Sequence, residues 1–229
     1  KPEYHGPNLA FPLEEVLGLL DSSPKLLVLC NPNNPTGGDI AMEDVRRIFG
    51  KAKEKGVAVL HDEAYFEFSG ITAKDFVKDF DNLVITRTLS KQFGLASVRA
   101  GYVISQAKNI QELMKIRGPY DVNMFAAAAI RAALLDVEYS RVYINEVMGQ
   151  AKPMLEKFFQ THNIPFYPSR ANFLLIRPDN PQEVLKVLQE QGILVRPRRD
   201  VAGTLRISVG TVKDIERFME AYLLKALQR

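Results

Sequence analysis

The sequence predicts an α/β protein, with a mostly parallel sheet and flanking helices followed by a smaller C-terminal α+β domain. Three observations lead there. Short, nearly continuous apolar runs recur at residues 26–30, 57–60 and 83–86, the composition of strands covered on both faces. Helical spacing appears between such runs, as parallel strands need crossover connections. From about residue 124 the pattern shifts to helices and shorter strand candidates. The expected division is residues 1–137 for a large domain that is incomplete at its start, and 138–229 for a connecting helix and a small domain.

Taken in order, apolar residues at 13, 16, 17 and 20 give residues 11–20 the spacing of a short helix. The strand at 26–30 ends on Cys30 and runs into Asn31-Pro32-Asn33-Asn34-Pro35-Thr36-Gly37-Gly38, a turn by composition. Residues 42–55 read as a helix closed by Gly56. The strand at 57–60 has Asp62 just past it. The strand at 83–86 has Ser90 and Lys91 in the loop that follows, and residues 100–105 add a further strand. Polar side chains thereby collect at the carboxyl ends of strands, where open α/β sheets bind ligands. The alanine-rich stretch 125–134 favours helix by propensity. Residues 138–162 read as a longer helix between the domains. Strand candidates at 172–176, 193–195 and 205–209, with helices at 181–191 and 212–227, complete the small domain.

Composition narrows the function classes. A chain of 229 residues that is 46% hydrophobic can bury a sizeable core. Its 30 basic and 27 acidic side chains are mixed along the chain, which argues against a nucleic-acid face. No apolar stretch approaches a membrane span, and residues 1–12 do not resemble a secretory signal. The single cysteine, Cys30, excludes a disulfide within the chain and suits a reducing compartment. A cytoplasmic enzyme is therefore expected. His5, His61 and His162 are scattered and no zinc or iron–sulfur spacing exists, so no metal is expected.

Chemistry concentrates in three stretches. Lys91, in Thr86-Arg87-Thr88-Leu89-Ser90-Lys91, can form a Schiff base with an aldehyde if its amine is neutral. Thr88, Ser90 and Arg99 can hold a phosphate, arginine through a forked charged contact. Asp62 can pair with a protonated heteroaromatic nitrogen and keep that ring electron-poor. Tyr65 and Asn34 can each hydrogen-bond a phenolate-like oxygen. Arg206 interrupts an apolar strand and either clamps a carboxylate or points to a wet face. Arg196 follows another apolar run and is a candidate for a second anion. Arg198 and Arg199 read equally as solvated loop residues, and Asn172 either orients a ligand or caps a turn.

With those residues in place, the chain resembles the fold-type I pyridoxal-phosphate aminotransferases, and within them the histidinol-phosphate aminotransferases. The resemblance rests on Asn31 to Gly37, Asp62-Glu63-Ala64-Tyr65-Phe66-Glu67-Phe68, residues 86–101 and residues 205–210. Arg117-Gly118-Pro119-Tyr120-Asp121-Val122-Asn123 and Ser169-Arg170-Ala171-Asn172-Phe173 agree. It implies pyridoxal 5'-phosphate as cofactor, held by Lys91, which also shuttles a proton between substrate Cα and cofactor C4′. It places Asp62 at the pyridine nitrogen, Asn34 and Tyr65 at the 3-oxygen, and Thr88, Ser90 and Arg99 at the phosphate. Arg206 receives the substrate carboxylate and Arg196 the substrate phosphate. The implied substrates are L-histidinol phosphate and 2-oxoglutarate, in a homo-oligomer.

That family has a segment before the position of Lys1 that supplies a phosphate cup and an aromatic residue stacked on the cofactor. The expectation is thus a truncated chain, a missing N-terminal polypeptide and weak activity from these residues alone. A related enzyme on the same cofactor, such as a phospho-amino-acid decarboxylase, and a non-catalytic binding or assembly module are the alternatives.

Overall fold

The computed structural model describes residues 2–4, 6 and 8–224. His5 and the expected end of the last helix, past residue 224, lie outside the described residues. The chain forms two compact units, residues 1–32 with 39–140, and residues 33–38 with 141–229.

The first unit opens with helix α1 (Leu13–Leu19) and strand β1 (Leu26–Cys30), then helix α2 (Met42–Glu54) and strand β2 (Ala58–Asp62). The one-turn helix α3 (Phe66–Ser69) precedes strand β3 (Leu83–Thr88). Strand β4 (Gly101–Ser105) and helices α4 (Ala107–Lys115) and α5 (Met124–Leu135) follow. The sheet order is β1-β2-β3-β4. The first three strands run parallel, with Cys30 opposite Asp62 and Asp62 opposite Thr86, and β4 is antiparallel. This register brings the three strand exits to one edge of the sheet.

The core lies between α2 and the sheet. Val45, Ile48, Phe49 and Ala52 on one face of α2 are fully buried with Val59, Leu83 and Ile85. Phe49 meets His61 edge-on at 5.3 Å between ring centroids, and meets Phe80 at 5.7 Å. Gly56, at φ +68°, lets the chain turn sharply out of α2 into β2. A Cβ at Gly101 would sit 2.5 Å from the Arg87 carbonyl oxygen, so the close pairing of β4 on β3 needs glycine there.

The second unit contains helix α6 (Val137–Glu146), whose first turn belongs to the first unit. It continues through a π-helical turn (Val147–Ala151) into α7 (Lys152–Thr161). Strands β5 (Phe166–Tyr167) and β6 (Phe173–Ile176), helix α8 (Pro181–Glu190), strands β7 (Arg196–Arg198) and β8 (Thr204–Ser208), and helix α9 (Val212–Leu224) complete it. The antiparallel order is β5-β6-β8-β7. Lys152 is buried and donates to the carbonyls of Ser169 and Ala171, which anchors the 169–171 loop to α7. Gly37, at φ +77°, packs against Ser169, and a Cβ there would lie 2.3 Å from Ser169 Oγ.

Two local expectations are corrected. The strand expected at 193–195 lies at Arg196–Arg198 instead. Gly192 turns the chain at φ +69°, and Ile193 N–H still bonds the Leu188 carbonyl of α8, so the apolar run closes the helix before the sheet is reached. Strand β7 is at the sheet edge, where Pro197 can lack an N–H without harm. Asp62, expected just past its strand, is the last residue of β2.

Two outcomes are expected. Burial holds the His61 imidazole neutral, with its pKa pushed down to about 4 from 6.5. An unfolded chain therefore binds a proton between pH 6.5 and 4 that the folded chain refuses. The stability from neutral His61 is complete above pH 6.5 and declines through that window, by about 3 kcal/mol at about 1.4 kcal/mol per pH unit. Wild type should lose urea midpoint relative to His61→Leu as pH falls through this range, the opposite contribution of the raised Glu67 carboxyl being common to both; a constant difference between the two would refute the assignment. Gly37→Ala should destabilise the protein by roughly 1–3 kcal/mol through left-handed backbone strain, with the Ser169 clash added. A melting temperature equal to wild type would contradict the packing at Gly37.

Candidate active site

In the first unit the polar groups sit where β2 and β3 end. Asp62 is half-buried. Its Oδ1 accepts from Ala64 N–H at 3.1 Å and lies 3.4 Å from the Thr86 hydroxyl, while Oδ2 lies 4.0 Å from Cys30 Sγ. Burial pushes its carboxyl above the ordinary range. The Ala64 and Thr86 hydrogen bonds and the Lys91 charge pull the other way. A cationic ring nitrogen at the Oδ2 side would add to that pull.

Lys91 is exposed, with Nζ 5.3 Å from the centroid of the buried Tyr65 ring. Thr88, the last residue of β3, turns its hydroxyl to accept Ser90 N–H at 3.1 Å. The loop beyond is pinched at its neck by Leu89 N–H to the Ala100 carbonyl and Leu95 N–H to the Leu89 carbonyl. Leu89, Ala100 and Ala126 are buried together, with Phe93, Leu95, Val98 and Ile130 packed against them. The Leu89–Ala100 bond and this apolar plug set Ser90 and Arg99 on the two sides of one neck. Arg99 takes the left-handed conformation, φ +56°, and its guanidinium donates to the Ala96 carbonyl at 2.9 Å.

In the second unit the arginines pair across strands. Arg196 lies directly opposite Arg206 in the β7–β8 ladder. Arg206 Nη1 donates to Asn34 Oδ1 at 2.7 Å, its Cζ sits 5.0 Å from the Phe173 ring centroid, and its Nε is buried without a hydrogen-bond partner. Like charges facing each other across a ladder repel, and an anion between them removes that cost. Arg198, expected as a solvated loop residue, is instead the last residue of β7 and forms a forked ion pair with Asp200 at 2.6 and 2.9 Å.

Sequence reasoning passed over a buried network beside Asp62. Glu63 is fully buried, and its carboxylate accepts from Arg87 Nε at 2.9 Å and Ala73 N–H at 2.6 Å, with Arg87 Nη2 in ion-pair contact at 2.8 Å. The Thr72 hydroxyl lies 2.9 Å away. Arg87 stacks on Phe66, Cζ 3.4 Å from the ring centroid. Removing one partner of such a pair costs about 3–5 kcal/mol, because it strands the other charge in the interior. The signal was alternation: Leu83, Ile85 and Arg87 share one strand face, so Arg87 had to point inward. Glu67 follows on α3; burial pushes its carboxyl up to about 7. Among the described residues no cluster of His, Cys, Asp and Glu suits a metal ion, and no helix is long and apolar enough to cross a membrane.

The family profile for aminotransferase class I and II matches residues 4–221. The chain belongs to that family. Its cofactor is pyridoxal 5'-phosphate, and the donor set at the ends of β2 and β3 fits that group: an amine for the aldehyde, a carboxylate for the ring nitrogen, and hydroxyls at a loop neck for the phosphate. The chain is 40% identical over 191 residues to a histidinol-phosphate aminotransferase of Caldanaerobacter subterraneus subsp. tengcongensis, covering 82% of this chain and 53% of that protein. It is also 40% identical over 192 residues to a dihydroxyacetone phosphate transaminase of Campylobacter jejuni, with coverages of 82% and 52%. The chain thus spans about half the length of these relatives. Its fold is similar to the histidinol-phosphate aminotransferase of Sinorhizobium meliloti solved with pyridoxal-5'-phosphate. There the TM-score is 0.83 at 23% identity, over 94% of this chain and 61% of that one.

Proposed function

We propose that the protein is a pyridoxal-phosphate transaminase for a small phosphorylated substrate, with L-histidinol phosphate as amino donor and 2-oxoglutarate as acceptor. The observation that carries this reading is the half-buried Asp62 at the end of β2, with the Lys91 charge acting on it from the loop after β3, in a chain of the aminotransferase family. Two relatives at equal identity are named for different phosphorylated substrates, which supports the phosphate as the shared element.

When bound, pyridoxal 5'-phosphate supplies an aldehyde that condenses with amines and a cationic ring that takes up carbanion charge. The remaining work falls to this chain. Lys91 Nζ would hold the cofactor between turnovers, then take the proton from substrate Cα and pass it to the cofactor's aldehyde carbon. Asp62 keeps the ring nitrogen charged. The Tyr65 hydroxyl donates to the ring oxygen. Asn34, whose amide oxygen is engaged by Arg206, offers its NH2 end to the same oxygen. Thr88, Ser90 and Arg99 hold the cofactor phosphate. Arg206 takes the substrate carboxylate and Arg196 the substrate phosphate, and the working form is a homo-oligomer.

Two experiments on the whole natural polypeptide that carries this chain test the reading. Borohydride reduction with pyridoxal 5'-phosphate, followed by peptide mass mapping, should place the pyridoxyl mass on Lys91. A stable adduct on another lysine, with Lys91 unmodified, would sink the assignment. Arg206→Ala should lower kcat/KM for 2-oxoglutarate, the substrate that carries a carboxylate, by roughly 10- to 100-fold. Arg196→Ala should lower it only for the phosphorylated one, by roughly 10- to 100-fold, the worth of one charged hydrogen-bond partner. Running dihydroxyacetone phosphate beside histidinol phosphate separates the phosphorylated substrates, and equal losses in both variants would contradict the division.

A further inference from the structure

We propose that the buried Glu63–Arg87 pair is a positioning device, which locks the turn carrying Asp62 and Tyr65 to the strand that carries Thr88 and leads to Lys91. The inference rests on the reading of Asp62 and Lys91 given above. Neither Glu63 nor Arg87 is assigned a contact with cofactor or substrate.

The argument begins where the backbone ladder ends. β2 pairs with β3 as far as Asp62 opposite Thr86, and Glu63 N–H makes one more bond to the Thr86 carbonyl at 2.9 Å. Beyond that, β2 turns away into α3 while β3 continues for two residues beside β4. Asp62 is the last paired residue of β2, and Thr88, with Lys91 three residues on, lies beyond the pairing of the two strands. Side chains take over at that point. Glu63 and Arg87 are each next in sequence to a proposed cofactor contact, Asp62 and Thr88, and point to the opposite face of the sheet.

The contacts of the pair reach α3, the connection after it and β4. Glu63 receives the Arg87 Nε hydrogen bond and Nη2 ion-pair contact from β3, and the Ala73 N–H from the connection after α3. Arg87 Nη2 also donates to the Thr72 hydroxyl at 2.7 Å, and Nη1 lies 3.4 Å from the Tyr102 hydroxyl of β4. The Arg87 plane lies on Phe66, the residue after Tyr65. A forked guanidinium fixes direction as well as distance, which a lysine in its place does not. The pair itself is closed to solvent, with Arg87 7% and Glu63 0% exposed, so water does not substitute for it. Shifting reacting groups by about 1 Å costs on the order of a hundredfold in rate.

A purely structural role would show only in stability, so the test separates the two. Glu63→Gln/Arg87→Met removes both charges together and keeps an acceptor for Ala73 N–H and Thr72. Replacing a buried ion pair as a unit is commonly tolerated by the fold. Arg87→Lys keeps the charge and removes the fork. In the whole natural polypeptide, both variants should unfold at nearly the wild-type temperature and still capture pyridoxal 5'-phosphate on Lys91. The pH midpoint of the bound cofactor's absorbance band should move by roughly half a unit or more. kcat should fall roughly 10- to 100-fold with KM little changed. Folded variants with the wild-type midpoint and kcat would overturn the inference and leave the proposed function intact. Failure of the wild type to capture the cofactor on Lys91 would instead remove the proposed function. Should the double variant fail to fold, Arg87→Lys decides on the same two readouts.

Discussion

Glu63 N–H to the Thr86 carbonyl is the last backbone hydrogen bond between β2 and β3, and the chemistry of the first unit lies beside or beyond it. A parallel ladder aligns strand exits, so Cys30, Asp62 and Thr86 fall in line across three strands. That alignment puts a carboxylate, a hydroxyl and the loop of Lys91 at one edge without any residue being chosen for proximity in sequence. It also stops just short of the groups that need placing. The Glu63–Arg87 fork extends the tie past the ladder, and the apolar plug around Leu89 and Ala100 does the same for the loop neck.

The buried face of the sheet changes character along its length. On β2 and the residue after it, the face runs Val59, His61, Glu63; on β3 it runs Leu83, Ile85, Arg87. Hydrocarbon at the amino ends packs on α2, and ionisable groups at the carboxyl ends support the site. His61 lies at the boundary, fully buried against Phe49, with both ring nitrogens unpartnered and the imidazole held neutral. Its 3.7 Å approach to Glu63 is therefore not an ion pair at neutral pH. The site is supported by groups that cost stability where they stand.

Much of this was legible in the amino-acid sequence, and the rest was hidden for definite reasons. Apolar runs marked β1, β2 and β3, because strands covered on both faces need continuous hydrocarbon. Lys91, Asp62 and Thr88 stood out as polar residues at the ends of such runs. Arg87 was hidden inside a polar run, although its alternation with Leu83 and Ile85 places it on the buried face. The residues at 193–195 misled because the apolar run belongs to the end of α8, whose Gly192 turn comes before β7. The Asn34–Arg206 bond joins residues 172 apart, a separation that local pattern cannot bridge. The cross-strand pair Arg196–Arg206 likewise depends on a register that only the assembled sheet defines.

A crystal structure of the whole natural polypeptide with pyridoxal 5'-phosphate would decide whether the ends of β2 and β3 are the cofactor site. The expected result has the aldehyde carbon bonded to Lys91 Nζ and the ring nitrogen about 3 Å from an Asp62 carboxylate oxygen. The phosphate should lie at the neck formed by Ser90 and Arg99. A cofactor bound elsewhere, or one whose ring nitrogen faces solvent away from Asp62, would contradict the reading.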